Sequence, residues 1–200
     1  MSKRWFQAHQ RDTWRRQARS KGYRARSAFK LKQIQEKFHL IREGDLVLDV
    51  GCHPGGWAQV SSKIITAGKI LSLDIKKMEQ LKNVSFLQCN FLEEGTKEKI
   101  LKFFREKLDV VLSDMAANTT GNKSLDCIRT NQLCADVVEF SSKILKPNGV
   151  LVSKLFMGED FLEVKELAKS RFKKVSFFKP EASRNESKET YLHCVTLRTL

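Results

Sequence analysis

The sequence contains no apolar run close to the ~20 residues needed to cross a membrane, and no hydrophobic segment typical of a secretion signal. Its five cysteines are scattered without a C-x-x-C pair, and its four histidines show no spacing typical of metal ligands. These absences argue against a membrane protein, a disulfide framework and a zinc site. We therefore expect reduced thiols, no bound metal and a cytoplasmic location.

Acidic residues are nearly absent from positions 3–32, where Asp12 is the only one among eleven basic residues. Over the whole chain, 37 Lys and Arg face 23 Asp and Glu, which gives a net charge of +14. Such an excess is typical of proteins that bind nucleic acids and unusual for enzymes that act on small metabolites. Aromatic residues interleave with the basic ones, a pattern that favours contact with RNA phosphates and bases.

We interpret residues 1–26 as a basic N-terminal arm that contacts RNA. Its candidate contacts are Arg15, Arg16, Arg19, Lys21, Arg24 and Arg26. One alternative is a solvated arm whose charge serves solubility. Another is a mitochondrial transit peptide, which shares the Arg-rich and acid-poor composition.

Strand-like and helix-like segments alternate from residue 27 onwards. Apolar runs predict strands at 46–50, 69–74, 84–88, 109–114, 150–156, 175–178 and 191–197. Helical spacing appears at 27–38, after Trp57, and at 95–107, 125–145 and 161–170. No internal repeat, linker or low-complexity segment interrupts this order. The alternation predicts one α/β domain over residues 27–200, with a seven-stranded, mostly parallel sheet and helices on both faces.

The first predicted strand runs into a glycine-rich turn that contains Gly51, Gly55 and Gly56. A strand, a turn and a helix in this order bring backbone N–H groups up to a ligand. The spacing G-x-x-x-G-G is neither the dinucleotide fingerprint nor a P-loop. Asp74 ends the next strand about 20 residues further on, where α/β nucleotide-binding folds place a ribose-binding carboxylate. The turn therefore predicts a nucleoside-cofactor site.

Further polar residues follow or interrupt the predicted strands. Asn90 follows the third strand and Asp114 ends the fourth, and ligands collect at the carboxyl ends of strands in such folds. Lys154 lies within an apolar strand, where it must be paired or act as a base, because burial and nearby positive charge favour the neutral amine. A structural ion pair with Asp114, or a lysine that reaches solvent from an edge strand, are the alternatives.

Five stretches in this order carry a family resemblance. They are residues 24–31 (RARSAFKL), 48–57 (LDVGCHPGGW), 113–116 (SDMA), 152–156 (VSKLF) and 183–191 (SRNESKETY). Over nearly its whole length the chain resembles the RrmJ/FtsJ family of S-adenosylmethionine-dependent RNA ribose 2′-O-methyltransferases. The resemblance implies a Rossmann-like methyltransferase fold.

The resemblance also implies site residues. It places a catalytic tetrad at Lys30, Asp114, Lys154 and Glu189. With the glycine turn, it predicts cofactor contacts from Gly51, Pro54, Gly55, Gly56, Trp57, Asp74, Asn90, Phe91 and Asp114. We expect the Trp57 ring to lie half in the core and half in the cofactor-site wall.

In this scheme Lys154 takes the proton from the ribose hydroxyl, Lys30 and the positive charge of the cofactor favour its neutral form, and Asp114 orients it. Glu189 and Lys30 hold the ribose.

Three positions depart from the family pattern, namely His53, Asn90 and Ala117, where family members usually carry a small residue, Asp and Pro. We expect Asn90 to weaken cofactor binding, because its amide keeps an acceptor but loses the charge. We expect His53 to be a hydrogen-bonded residue without a catalytic role.

The expected substrate is a uridine ribose in large-subunit ribosomal RNA, and the expected oligomeric state is a monomer. Riboses of the tRNA anticodon loop and mRNA caps are alternative acceptors. A non-catalytic RNA-binding ribosome-assembly factor of the same fold is a rival from another class. A small-molecule methyltransferase or oxidoreductase is disfavoured by the charge of +14.

Overall fold

The computed structural model describes residues 13–184 and 186–198. The strands are β1 (Leu46–Val50), β2 (Lys69–Asp74), β3 (Ser85–Gln88), β4 (Leu108–Ser113), β5 (Leu145–Phe156), β6 (Phe172–Phe178) and β7 (Glu189–Leu197). The helices in these ranges are α1 (Thr13–Ser20), α2 (Ser27–Phe38), α3 (Gly56–Ile64), α4 (Glu94–Phe104), α5 (Lys123–Ile144) and α6 (Phe161–Arg171). Residues 1–12, the first part of the predicted arm, lie outside the described residues.

The strands form one seven-stranded sheet in the order β3-β2-β1-β4-β5-β7-β6. The first five strands in this order are parallel, and β7 runs antiparallel to both of its neighbours. The strand order reverses between β1 and β4, so their connections leave in opposite directions and open a crevice at their carboxyl ends. The predicted seven-stranded, mostly parallel sheet is confirmed.

Side chains of each central strand alternate between two apolar layers. In β1, Leu48 packs into a layer formed with helices α4, α5 and α6, while Val47 packs on the opposite face with α2 and α3. Both side chains have no solvent exposure. Successive residues of a strand point to opposite faces, so strands covered on both sides read as continuous apolar runs. The helices therefore cover both faces, as predicted.

Several boundaries differ from the predicted ones. Helix α4 ends at Phe104 rather than 107, because Arg105 adopts a left-handed φ of 61° and caps the helix. Strands β6 and β7 begin at Phe172 and Glu189, three and two residues earlier than predicted. Helix α5 begins at Lys123 behind an Asn122 side chain that accepts hydrogen bonds from two backbone N–H groups.

The described part of the arm packs onto the domain. Residues 13–20 form helix α1, which the sequence did not predict, and Ala18 on it is buried. The rings of Trp14 and Tyr23 lie 5.2 Å and 5.6 Å from the Phe29 ring. These three aromatic residues, expected to interleave with basic residues in an RNA surface, therefore pack on one another instead.

Two further findings concern the described ranges alone. No helix among these residues combines the length and apolar character needed to span a membrane. All five cysteines fall within the same ranges, and none of them forms a disulfide.

Candidate active site

A cavity of about 570 Å³ opens at the carboxyl ends of the parallel strands. Gly51 and Asp74 line one side of it, Asn90 and Phe91 a second, and Asp114 a third. The first half of helix α5 closes it with Arg129, Gln132, Leu133 and Asp136, which the sequence did not single out. Its position at the strand-order reversal and its size are both typical of small-ligand sites.

Gly51 allows the loops after β1 and β4 to meet. Its φ is +77°, and a Cβ atom placed there would lie 2.6 Å from Cγ of Met115 and 3.0 Å from the Met115 backbone. Both the left-handed conformation and this close approach require glycine. The site therefore needs glycine at the first position of the predicted turn.

The other two glycines of the turn make room for the chain itself. A Cβ atom on Gly55, whose φ is +109°, would lie 2.8 Å from Nη1 of Arg24. A Cβ atom on Gly56 would lie 2.8 Å from Oγ of Ser27. Neither glycine lines the cavity, nor does Pro54. A ligand was expected to approach the backbone at these two glycines, but residues 24–27 of the same chain lie there instead.

Trp57 belongs to the core. Its ring is 2% exposed, and its Nε1 donates a hydrogen bond to the carbonyl oxygen of Ser27 at 2.9 Å. The ring packs against Tyr191 with centroids 5.6 Å apart. Trp57 is not among the cavity-lining residues, so the predicted half-core, half-wall position is not what the structure shows. Its contact with Ser27 instead ties helix α3 to the start of α2.

The carboxylate of Asp74 is fixed at the cavity wall by backbone donors. Its Oδ2 accepts from the His53 N–H at 2.9 Å and its Oδ1 accepts from the Lys76 N–H at 2.8 Å. Each oxygen keeps a further lone pair for hydroxyl donors of a ligand. The His53 ring is also held, with Nδ1 3.0 Å from the Lys77 carbonyl oxygen. His53 is therefore hydrogen-bonded, as expected.

Asn90 and Phe91 form the wall that follows β3. The Asn90 Oδ1 accepts from the Leu92 N–H at 3.1 Å, which leaves the amide NH₂ group for a ligand. Phe91 is buried and packs edge-on against Phe140 at 5.5 Å. The weaker cofactor binding expected from Asn90 stays a prediction.

The four residues of the predicted tetrad come together beside this cavity, although they lie on α2, after β4, on β5 and on β7. Lys154 Nζ is 2.8 Å from both the Oδ1 and the main-chain oxygen of Asp114. It is 4.0 Å from Oε2 of Glu189, whose Oε1 lies 2.5 Å from Nζ of Lys30. Their side chains are between 8% and 15% exposed. The result is a chain of alternating charges, Lys30–Glu189–Lys154–Asp114, with no net charge.

Two neutral residues complete the network. The Tyr191 hydroxyl donates to Oδ1 of Asp114 at 2.7 Å, and the Ser183 hydroxyl donates to Oε1 of Glu189 at 2.7 Å. Both residues lie in the matched stretch 183–191, although neither was predicted to have a role of its own. A signal existed for Tyr191, because it follows Glu189 by two residues on a strand and therefore shares its face. In the sheet it pairs directly with Lys154.

The electrostatics of the network correct one expectation about Lys154. Burial lowers the pKa of Lys154, but the Asp114 and Glu189 carboxylates outweigh it and leave that pKa above its ordinary value. Burial likewise raises the pKa of Asp114, and the ammonium groups of Lys154 and Lys30 lower it to a net value below the ordinary one. Lys30 does not drive Lys154 to its neutral form, because its own charge is paired with Glu189. The Lys154–Asp114 ion pair, which the sequence left open as a structural alternative to catalysis, is present.

The basic residues predicted to contact RNA differ in their exposure and contacts. Arg16, Arg19 and Lys21 are exposed on or just after α1, while Arg15 and Arg26 are half-buried. Arg24 instead faces inward. Its Nη1 donates to the carbonyl oxygens of Pro54 (3.3 Å) and Glu79 (2.8 Å), and its Nη2 donates to that of Gln80 (3.1 Å). Its guanidinium therefore joins the glycine turn to the loop after β2.

Comparisons with known proteins agree over most of the chain. A model of the FtsJ-like methyltransferase family matches residues 23–197. A Pelagibacter ubique protein named ribosomal RNA large subunit methyltransferase E is 43% identical over 99% of this chain and 98% of its own. A Rickettsia akari protein of the same name is 44% identical over 94% of this chain and 86% of its own.

Solved structures are similar as well. A Plasmodium falciparum protein described as a ribosomal RNA methyltransferase superposes with a TM-score of 0.77 at 27% identity, covering 88% of this chain and 98% of that one. A Streptococcus mutans protein in complex with SAH gives a TM-score of 0.54 at 13% identity, over 85% of this chain and 95% of that one. The second similarity concerns the fold alone.

Proposed function

The chain belongs to the FtsJ-like methyltransferase family, and from that premise we propose that it methylates a ribose 2′-hydroxyl of large-subunit ribosomal RNA with S-adenosylmethionine as donor. The observation that carries the proposal is the buried Lys30–Glu189–Lys154–Asp114 network beside the cavity at the strand ends. Relatives at 42–44% identity are named for large-subunit ribosomal RNA, which favours that substrate over tRNA.

The cavity fits a nucleoside that carries a positive charge. Asp74 offers two fixed carboxylate oxygens to ribose hydroxyls, and the Asn90 amide is placed to donate to a base. The Asp114 carboxylate also lines the cavity, and while its Oδ1 contacts Lys154 and Tyr191, its Oδ2 can face a cationic group. When bound, S-adenosylmethionine supplies a methyl group on a positively charged sulfur. These residues would hold it, so the donor set agrees with the group that the family implies.

The chain's own residues supply proton removal and positioning. A ribose hydroxyl is a weak nucleophile at neutral pH, so a base and a fixed approach are what a protein can add. Lys154 Nζ is anchored by two oxygens of Asp114, and we assign it to receive the hydroxyl proton. A positive charge bound next to Asp114 offsets that carboxylate, which lowers the pKa of Lys154 and frees its amine.

Lys30 and Glu189 have a positioning role in this scheme. Their ion pair lies between α2 and the start of β7, next to Lys154. A ribose hydroxyl that approaches Lys154 meets an acceptor in Glu189 and a donor in Lys30, so both can fix the sugar. Exposed Arg16, Arg19 and Lys21 extend the RNA contact along the arm. A cytoplasmic location and a monomeric state complete the proposal.

The acceptor is identified by radiolabelled methyl transfer to large ribosomal subunits, tRNA and total RNA, each prepared without 2′-O-methylation. We expect label in the large subunit, recovered as a 2′-O-methylnucleoside after digestion. Label in tRNA would support the proposed methylation reaction but contradict the assignment of large-subunit ribosomal RNA as the substrate. RNA binding without transfer to any acceptor would favour the non-catalytic assembly factor. Glu186→Gln serves as a control, because Glu186 is exposed near the network and should tolerate change.

A further inference from the structure

A second, open cavity lies at the amino ends of the strands, opposite to the active site. It has a volume of about 560 Å³ and is lined by Lys69, Lys99, Lys102, Phe103 and Arg105. Lys69 is the first residue of β2, whereas Asp74, the last residue of that strand, lines the active-site cavity. A six-residue strand spans roughly 20 Å, so the two cavities are separated by the length of the sheet.

Four basic side chains from two elements of the fold line this cavity. Lys99, Lys102 and Arg105 recur every third residue along α4 and its cap, which places them on one side of the helix. Lys69 reaches the same cavity from the neighbouring strand. Within the two described ranges, none of the four forms an ion pair with an acid, whereas half-buried Lys97 and exposed Lys169 are paired with glutamates on their own helices.

Helix electrostatics account for only part of this arrangement. Lys102 and Arg105 lie at the C-terminal end of α4, where cations interact favourably with the helix dipole. Lys69 begins a strand and Lys99 lies mid-helix, so the dipole explains neither. Phe103 is half-buried and adds an aromatic wall. Cations clustered in an open surface depression raise the local positive potential and attract phosphate groups.

We propose that this basic cavity is a second RNA-contact site, which binds backbone phosphates of large-subunit RNA remote from the methylated ribose. The inference rests on the proposed function, because it takes the same ribosomal RNA as its partner. The RNA contacts proposed for the arm lie apart from this cavity, which is at the amino ends of the strands. A particle that surrounds the enzyme with RNA can occupy both surfaces at once. The cavity then adds affinity and orientation without touching the chemistry.

The test compares two double substitutions that remove the same charge. Lys99→Gln/Lys102→Gln removes two cavity cations, and Lys173→Gln/Lys174→Gln removes two exposed lysines of β6 as the matched control. Binding to methylation-deficient large subunits is measured over a salt series, together with kcat and KM. The cavity variant should lower the slope of log K against log salt by about 2 and weaken binding about 10- to 30-fold near 0.15 M salt. Its kcat should equal that of the unsubstituted protein.

Each outcome decides a separate claim. A cavity variant that binds like the β6 control overturns the inference and leaves the proposed function intact. If affinity falls for intact subunits but not for protein-free ribosomal RNA, the partner is a ribosomal protein and the RNA assignment is wrong. If no RNA accepts methyl groups from the unsubstituted protein, the proposed function fails, while an RNA-binding loss in the cavity variant still supports the second site. Thermal melting confirms that both variants fold.

Discussion

Substitution of Arg24 is expected to weaken cofactor binding rather than RNA binding. The Arg24 side chain is 18% exposed, and its guanidinium bridges the glycine turn and the loop after β2 through three carbonyl oxygens. Both segments adjoin Asp74 and His53, which line the cavity. The backbone N–H of Arg24 also donates to Gln59 on helix α3 at 2.7 Å. Loss of the guanidinium frees the two loops to move apart.

The size of the effect follows from the hydrogen bonds lost. A hydrogen bond from a charged donor contributes about 1.5–3 kcal/mol, and the lower end applies to Arg24 because its Glu79 and Gln80 acceptors are exposed. If one such contribution is lost from the cofactor-bound state, affinity falls about 10-fold, because about 1.4 kcal/mol corresponds to a factor of ten. Arg24→Lys retains one charged donor and should recover part of the loss.

The assay is calorimetric titration of S-adenosylhomocysteine, with RNA binding measured in parallel. Arg24→Gln should raise the Kd for S-adenosylhomocysteine and leave the Kd for RNA and the saturated kcat nearly unchanged. Arg16→Gln, on the exposed face of α1, is the matched control and should show the opposite pattern. Weakened RNA binding in Arg24→Gln with unchanged cofactor affinity would refute the reasoning and restore the role predicted from the sequence.

Two further predictions concern buried polar groups. Ser183→Ala removes the hydrogen-bond donor to Oε1 of Glu189. This variant should lower kcat, measured under saturating substrate, about 3- to 10-fold and leave cofactor affinity unchanged. An unchanged kcat would show that the hydrogen bond does not position Glu189. Asp49 is fully buried with one unpartnered oxygen, and burial, with the nearby Asp114 and Asp74 charges, raises its pKa to about 7. Because the folded state holds this proton more tightly than the unfolded chain, stability falls as pH rises from about 4 to about 7. Relative to Asp49→Asn, the free energy of unfolding should fall by up to about 4 kcal/mol over that range, and parallel pH profiles in urea denaturation would contradict it.

The fold was predictable because a local pattern of apolar residues encodes each of its strands and most of its helices. Apolar runs such as 46–50 and 109–114 are typical of strands buried on both faces, and segments with helical spacing separate them. The alternation of strands and helices along the chain was therefore enough to predict a parallel sheet. The tetrad was predictable through the family motifs, not from periodicity. Lys154 alone stood out physically, because a lysine inside an apolar strand needs a partner.

The remaining features depend on tertiary packing, which the sequence pattern does not contain. Nothing local distinguishes Gly51, which faces the cavity, from Gly55 and Gly56, which face residues 24–27. Arg24 carries the same charge as its neighbours, yet only the fold decides that it points inward. The pairing of Lys30 with Glu189 depends on a contact between residues far apart in the chain. The protonation of Lys154 depends on this contact in turn.

The most direct test of the account is the single-turnover rate constant of methyl transfer to methylation-deficient large subunits, measured against pH. Because Lys154 accepts the proton only as the neutral amine, the rate constant should rise about tenfold per pH unit up to the pKa of Lys154 in the complex, where the bound positive charge opposes the effect of the carboxylates. Lys154→Ala should be at least about 100-fold slower, within the range that a general base contributes, and should lack that rise while still binding S-adenosylhomocysteine. Transfer by Lys154→Ala at a near-normal rate and with the same pH profile would contradict the assignment of Lys154 as the base.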